Sequence, residues 1–167
     1  MIVEKTDLEG VLVIDPPTNF KDFRGEYIEL YNERLYKENG IVQDFIQDDI
    51  STSKKNVLRG IHGDATTCKL VSCLYGEFYL VVVNNNPGSK QYKQWQSFNL
   101  SDVNRKQILI PPMYGNGHVV LSDKCIYHYK QTTEYNREGQ FTIMWNDPEY
   151  KIKWPIRNPI LSKRDGG

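Results

Sequence analysis

A cation and an imidazole stand three residues apart in the run Asn56-Val57-Leu58-Arg59-Gly60-Ile61-His62-Gly63-Asp64. A guanidinium beside a neutral base suits an anionic substrate that must also lose a proton. The run is apolar and punctuated by glycine, so it reads as a β-strand. Odd spacing on a strand sends Arg59 and His62 to opposite faces, because side chains alternate. A bulge or bend at Gly60 would bring them round to the same face. The plainer reading of the same residues is a surface Arg and a hydrogen-bonded structural His.

A histidine base needs a partner that orients its second ring nitrogen. The best acidic candidate is Asp147, held rigid between Trp145-Asn146 and Pro148; its alternative role is to start a turn, as Asp before Pro often does. A second cluster is Cys125-Ile126-Tyr127-His128-Tyr129-Lys130. On a strand Tyr127 and Tyr129 share one face, and His128 and Lys130 the other. A tyrosine hydroxyl in a dry pocket can act as a general acid, although a pKa near 10 makes it a poor donor unless tuned. An aromatic pair that only lines the core fits the same residues.

Other chemistries find less support. The three histidines, His62, His118 and His128, are far apart with no H-x-H pair, so no metal site is expected. There is no phosphate-binding G-x-x-x-x-G-K-[ST] loop and no G-x-G-x-x-G dinucleotide fingerprint. Cys68, Cys73 and Cys125 are an odd number without C-x-x-C spacing, which fits reduced thiols. Cys68 and Cys73 border an apolar strand, as small buried hydrophobes do. Twenty-one basic and twenty-one acidic side chains cancel, and no Lys/Arg run forms a nucleic-acid patch. Apolar stretches last only a few residues, so no membrane span is expected. Met1-Ile2-Val3-Glu4-Lys5 has no signal-peptide pattern, which points to the cytoplasm.

The elements that must position these groups are nearly all strands. The 167 residues imply one domain, 1–167, without repeat or linker. Val11-Leu12-Val13-Ile14 opens the pattern, and residues 25–31 alternate polar and apolar. The one short helix expected runs from the Asn32 cap to Asn39. Further strand-like runs fall at 42–48, 56–61, 68–75, 77–84, 94–100, 106–110, 117–121, 125–132 and 140–145. Many short strands with very little helix predict an all-β jelly-roll sandwich with a mouth at one end, where inward-facing polar groups collect.

Taken in series, these segments resemble the nucleotide-sugar 3,5-epimerase family, whose type member acts on dTDP-4-keto-6-deoxyglucose. The resemblance is carried by residues 20–26, 45–48, 57–62, 69–71, 75–77, 110–112, 120–123, 129–130, 145–148 and 159–162. It implies a cupin β-sandwich and a catalytic base at His62, with Asp147 orienting it. Tyr129 would supply a proton from the opposite face of the sugar. Arg59 and Lys69 match cations near the diphosphate and the sugar O4. Arg24, Glu29 and Gln47 match nucleotide- or sugar-contacting positions, some reaching across a homodimer interface, and Tyr135 matches a second pocket tyrosine. The chemistry it implies uses no redox cofactor and no metal.

The sequence departs from that pattern at several places. Gly63-Asp64 follow His62 where the dTDP-sugar enzymes carry an aromatic and a polar residue. Asn116 stands where the family has a pocket histidine, His118 where it has an aromatic, and Asn84 where it has Asp. The Arg-Gly-Ile-His-Gly-Asp version looks closer to epimerases of GDP-linked 4-keto-6-deoxyheptoses in bacterial capsule synthesis. The expected substrate is therefore a nucleotide-linked 4-keto-6-deoxy sugar, in the first place a GDP-4-keto-6-deoxyheptose with a dTDP-linked sugar left open, inverted at C3, C5 or both. A 3,4-ketoisomerase on the same fold and a non-catalytic sugar-nucleotide-binding cupin are the alternatives.

Overall fold

The computed structural model describes residues 1–16 and 18–167. Its strands are β1 (Ile2–Lys5), β2 (Leu12–Asp15), β3 (Thr18–Asp22), β4 (Gly25–Glu29), β5 (Gln47–Lys54), β6 (Leu58–Gly63), β7 (Lys69–Tyr75), β8 (Glu77–Asn84), β9 (Trp95–Ser101), β10 (Gln107–Ile110), β11 (Tyr114–Val120), β12 (Lys124–Gln131) and β13 (Phe141–Thr142). Two short helices join them, α1 (Glu33–Glu38) and α2 (Lys163–Gly166). A six-stranded sheet, ordered β1-β2-β10-β7-β12-β5, faces a five-stranded sheet ordered β13-β6-β11-β8-β9. The β3–β4 hairpin forms a separate two-stranded sheet. This is the cupin-like, nearly all-β sandwich expected. Among the described residues no helix is long and apolar enough to cross a membrane.

Strand alternation builds the core. On β8, Phe78, Leu80 and Val82 point between the sheets, where they meet Val71, Cys73, Ile108, Val120 and Cys125. Val81 and Val83 take the other face and pack with Ile61, Ile143 and Tyr150. Leu70 and Leu109, on the outer face of the six-stranded sheet, pack with Tyr36 of α1 and Ile41. Both outer faces are thus covered, which is why β7 and β8 read as nearly continuous apolar runs rather than clean alternations. The helix stands where the cap pattern places it, with the Asn32 side chain accepting from the Leu35 amide.

Several boundaries differ from expectation. Of the run 42–48 only Gln47 and Asp48 belong to the strand, and the ladder that begins there continues through the polar stretch to Lys54. Among the described residues β5 is an edge strand paired with β12 alone, so half of its side chains can stay in water and its composition does not announce a strand. β11 begins at Tyr114, three residues before the expected run, because Tyr-Gly-Asn-Gly reads as a turn until β6 and β8 flank it. The run 140–145 contributes only Phe141–Thr142.

At one end of the sandwich the inward-facing rows turn polar. Cys73 and Val71 on β7 give way to Lys69, and Cys125 on β12 to Tyr127 and Tyr129. Val120 on β11 gives way to His118 and Asn116. This mouth is a cavity of about 520 Å³, within the range of small-molecule sites.

Candidate active site

The opening pair is brought to one face as a bend at Gly60 would allow. The β6–β11 ladder matches Asn116 with His62 and His118 with Arg59, and its register shifts between them. Gly60 lies at φ +105°, a conformation that strains any other residue, and a Cβ there would stand 2.6 Å from the Asn116 carbonyl oxygen. With one residue absorbed by the bulge, Arg59 and His62 both line the cavity. Arg59 Nε donates to Ser53 Oγ of β5 at 2.9 Å, which ties the two sheets at the mouth.

The carboxylate that meets His62 is Asp165, and Asp147 is not. His62 Nε2 stands 2.6 Å from Asp165 Oδ1. Asp165 is carried by the single turn of α2, whose cap Ser162 accepts the Asp165 amide through Oγ at 3.2 Å. The Gly60 amide donates to Asp165 Oδ2 at 3.4 Å. Burial works to raise the Asp165 carboxyl, but hydrogen bonds from His62, Ser162 and Gly60 outweigh it and hold the group below the ordinary carboxylate range. Asp147 serves instead as a turn residue: its Oδ1 accepts the Glu149 amide at 2.9 Å, and it lies outside the cavity wall.

Lys69 and Tyr129 complete the interior. Lys69 is 8% exposed and has no carboxylate within ion-pair reach among the described residues. Among the described residues its side chain makes one hydrogen bond, from Nζ to Asn116 Oδ1 at 3.3 Å, and Nζ lies 5.7 Å from the Tyr129 ring centroid. Burial lowers its pKa, Asp64 opposes that, and Arg164 reinforces it. Such an ammonium keeps donors available for a ligand. Tyr129 is held protonated, first by burial and then by the Asp49 carboxylate beside it.

Gln47 and Tyr135 also line the cavity, the Tyr135 amide donating to Gln47 Oε1 at 3.0 Å. Arg24 and Glu29 do not line it. They sit on the β3–β4 hairpin, where Arg24 pairs with Asp22 at 2.7 Å with its side chain 77% exposed. The wall also holds Arg137, Arg164, Asp49 and Gln140, which the sequence did not single out. Among the described residues no group of three or more His, Cys, Asp or Glu is placed to hold a metal ion.

His118 forms the floor. It stacks on Tyr127, centroids 4.1 Å apart and planes 6° apart, with Phe78 tilted against it at 5.2 Å. Burial, then the charge of Arg59, push its pKa down to about 3, while Asp165 opposes weakly. Its Nε2 is buried without a hydrogen-bond partner among the described residues. The unfolded chain therefore binds a proton near pH 6.5 that the folded chain refuses until about pH 3, so stability falls with falling pH across that window. The loss is at most about 1.4 kcal/mol per pH unit. Thermal unfolding at pH 7.5 and 4.5 should show a smaller acid penalty in His118→Phe than in wild type. A residual slope should remain from His128, which burial also holds low against the pull of Asp48. Equal acid penalties in the two proteins would contradict a neutral His118.

The mouth of the β-sandwich joins a His–Asp pair to a buried lysine and a tyrosine, groups that can take up, stabilise and give back charge on a bound ligand. The family described as dTDP-4-dehydrorhamnose 3,5-epimerase matches residues 5–167. A dTDP-4-dehydrorhamnose 3,5-epimerase of Salmonella typhimurium is 40% identical, covering 99% of this chain and 92% of its own. A dTDP-4-dehydrorhamnose 3-epimerase of Streptomyces niveus is 32% identical over 95% of this chain and 78% of its own. The dTDP-6-deoxy-D-glucose-3,5-epimerase of Legionella pneumophila, solved with dTDP-4-keto-L-rhamnose, superposes with a TM-score of 0.93 at 36% identity, covering 99% of this chain and 89% of that one. The chain belongs to the dTDP-4-dehydrorhamnose 3,5-epimerase family and is an epimerase of nucleotide-linked 4-keto-6-deoxy sugars.

Proposed function

We propose that residues 1–167 form one cupin-type enzyme unit that inverts C3, C5 or both of a dTDP-linked 4-keto-6-deoxyhexose. The observation that carries this reading is the His62–Asp165 pair at 2.6 Å, opening into the cavity that also holds Lys69 and Tyr129. A C4 ketone acidifies the hydrogens on C3 and C5, because the carbanion delocalises into an enolate. His62 takes the proton, and Asp165 fixes the ring and stabilises the imidazolium that forms. The Lys69 ammonium meets the charge developing on O4. Tyr129 then gives its proton to the opposite face of the carbon, the C–H bond forms with inverted configuration, and solvent restores the phenol. Arg59 and the Gln47–Tyr135 pair hold the nucleotide end.

The names of the relatives weigh for dTDP. The departures at Gly63-Asp64, Asn116 and His118 keep a GDP-linked 4-keto-6-deoxyheptose, used in capsule or other surface polysaccharide, as the second substrate to try. Incubation with both sugar nucleotides in deuterated water, followed by NMR, tests the reading. Deuterium at C3 or C5 with inversion is expected. A carbonyl moved to C3 would indicate the ketoisomerase, and no exchange on any 4-keto sugar would indicate a binding domain.

A homodimer belongs to this proposal. Among the described residues the β3–β4 hairpin pairs with no other strand, and it exposes Phe23 at 98%, Phe20 at 70% and Tyr27 at 67%. An apolar hairpin of this kind is covered by a second copy at little cost, and it would carry Arg24 and Glu29 toward the partner's cavity. Light scattering at assay concentrations should give twice the mass of one chain. A monomer there would remove the dimer.

A further inference from the structure

Asn116 stands on β11 directly beside His62 on β6, in the five-stranded sheet. Its side chain crosses the interior and meets two neighbouring strands of the opposite sheet. Lys69 Nζ of β7 donates to its Oδ1 at 3.3 Å, the long end of such a bond, and its Nδ2 donates to the Tyr127 hydroxyl of β12 at 3.0 Å. An ammonium only donates, so the amide oxygen must face Lys69 and the amide nitrogen must face Tyr127. Tyr127 in turn is fixed by its stack on His118 and by Tyr129 tilted against it at 5.8 Å. One uncharged group therefore spans from the strand of the base to the strand of the cation.

We propose that Asn116 is a positioning residue that holds the Lys69 ammonium at a set distance from His62 by bracing it against Tyr127 across the two sheets. The inference rests on the epimerase reading above for what Lys69 does, but the brace exists without substrate. A neutral amide suits the task. A carboxylate at 116 would consume the charge that must meet the sugar oxygen, and a protonated imidazole would repel it. The other groups around Lys69 do not substitute: Asp64 lies in the loop before β7, Arg164 on α2 carries the same charge, and Tyr129 presents its ring.

The test combines a titration with kinetics on the full chain. The Lys69 Cε resonance, identified by its loss in Lys69→Met, is followed by 13C NMR across pH in wild type, Asn116→Ala and Asn116→Asp. Near-UV circular dichroism confirms that each variant is folded. Removing the acceptor should move the Lys69 titration to lower pH, because the bond favours the charged form. A carboxylate there should move it to higher pH. In turnover of a 4-keto sugar nucleotide, Asn116→Ala should lose about tenfold to a hundredfold in kcat with KM within about threefold, the signature of an interaction used in the transition state. Asn116→His should recover most of that loss at pH 8 and lose it again in acid, adding a second ionisation to the acid limb. An unmoved Lys69 titration in either folded variant, or wild-type kcat in Asn116→Ala, would overturn the assignment. If wild-type protein exchanged no 4-keto sugar, the proposed function would fail while the NMR titration still decided the brace.

Discussion

His62→Asn is expected to abolish both deuterium wash-in and epimer formation. The asparagine amide nearly matches the imidazole in its polar reach but takes no proton at neutral pH, so the loss falls on base chemistry rather than on the shape of the cavity. A general base of this kind contributes about a hundredfold to ten-thousandfold, and among the described residues no second imidazole is free to replace it. His118, the other imidazole of the cavity, is buried in a stack with its pKa pushed down to about 3, and the carboxylates of the wall, Asp49 and Asp165, belong to a class intrinsically less basic than an imidazole. Retention of more than a few per cent of wild-type exchange would mean the proton goes elsewhere. The partner mutation separates two carboxylates. Asp165→Asn should fall by a factor of the same order, because the ring loses the charge that orients it and stabilises its protonated form. Asp147→Asn should stay near wild type, since that residue caps a turn at the Glu149 amide. The reverse ordering would restore Asp147 to the site.

The contrast between these two aspartates shows what was legible in the sequence. Asp147 sits in an obvious local context, Trp-Asn-Asp-Pro, which announces rigidity but not what the side chain faces. Asp165 meets His62 across 103 residues of chain, and that pairing depends on how the C-terminal segment folds back over β6. The local signal for Asp165 was present in Ser162-Lys163-Arg164-Asp165, the S-x-x-D spacing of a helix start. It indicates a capped turn without saying what the turn delivers. The sheets were legible because burial on both faces writes long apolar runs into β7 and β8, and so was the bend at Gly60. Polar edges such as β5, and strands spelled with turn residues such as β11, were less legible because their pairing is tertiary. Lys69 and Asn116 were marked by the family resemblance, but their contact was not, because it forms only when the opposite sheet brings them within 3.3 Å.

Tyr129→Phe should divide the reaction into its halves. Removing the hydroxyl leaves His62, Asp165 and Lys69 in place, so a proton should still leave the sugar carbon and the enolate should still be held. What disappears is donation from the opposite face, worth about a hundredfold to ten-thousandfold for an acid of this kind. Burial first, and the neighbouring Asp49 second, keep the phenol protonated well above neutral pH, so the wild-type group always carries the proton it must give. Tyr127 is poorly placed to replace it. Its hydroxyl receives the Asn116 amide, its ring is locked against His118, and it lies deeper, only 4% exposed. The variant should therefore wash deuterium into the substrate with retained configuration while making little epimer. Retention follows because His62 returns a solvent-derived proton to the face it came from, provided its own proton exchanges with water before collapse. Wild-type epimer yields would mean that another acid, such as a bound water, supplies the second proton. Loss of exchange together with epimer would place Tyr129 on the enolate oxygen instead, beside Lys69.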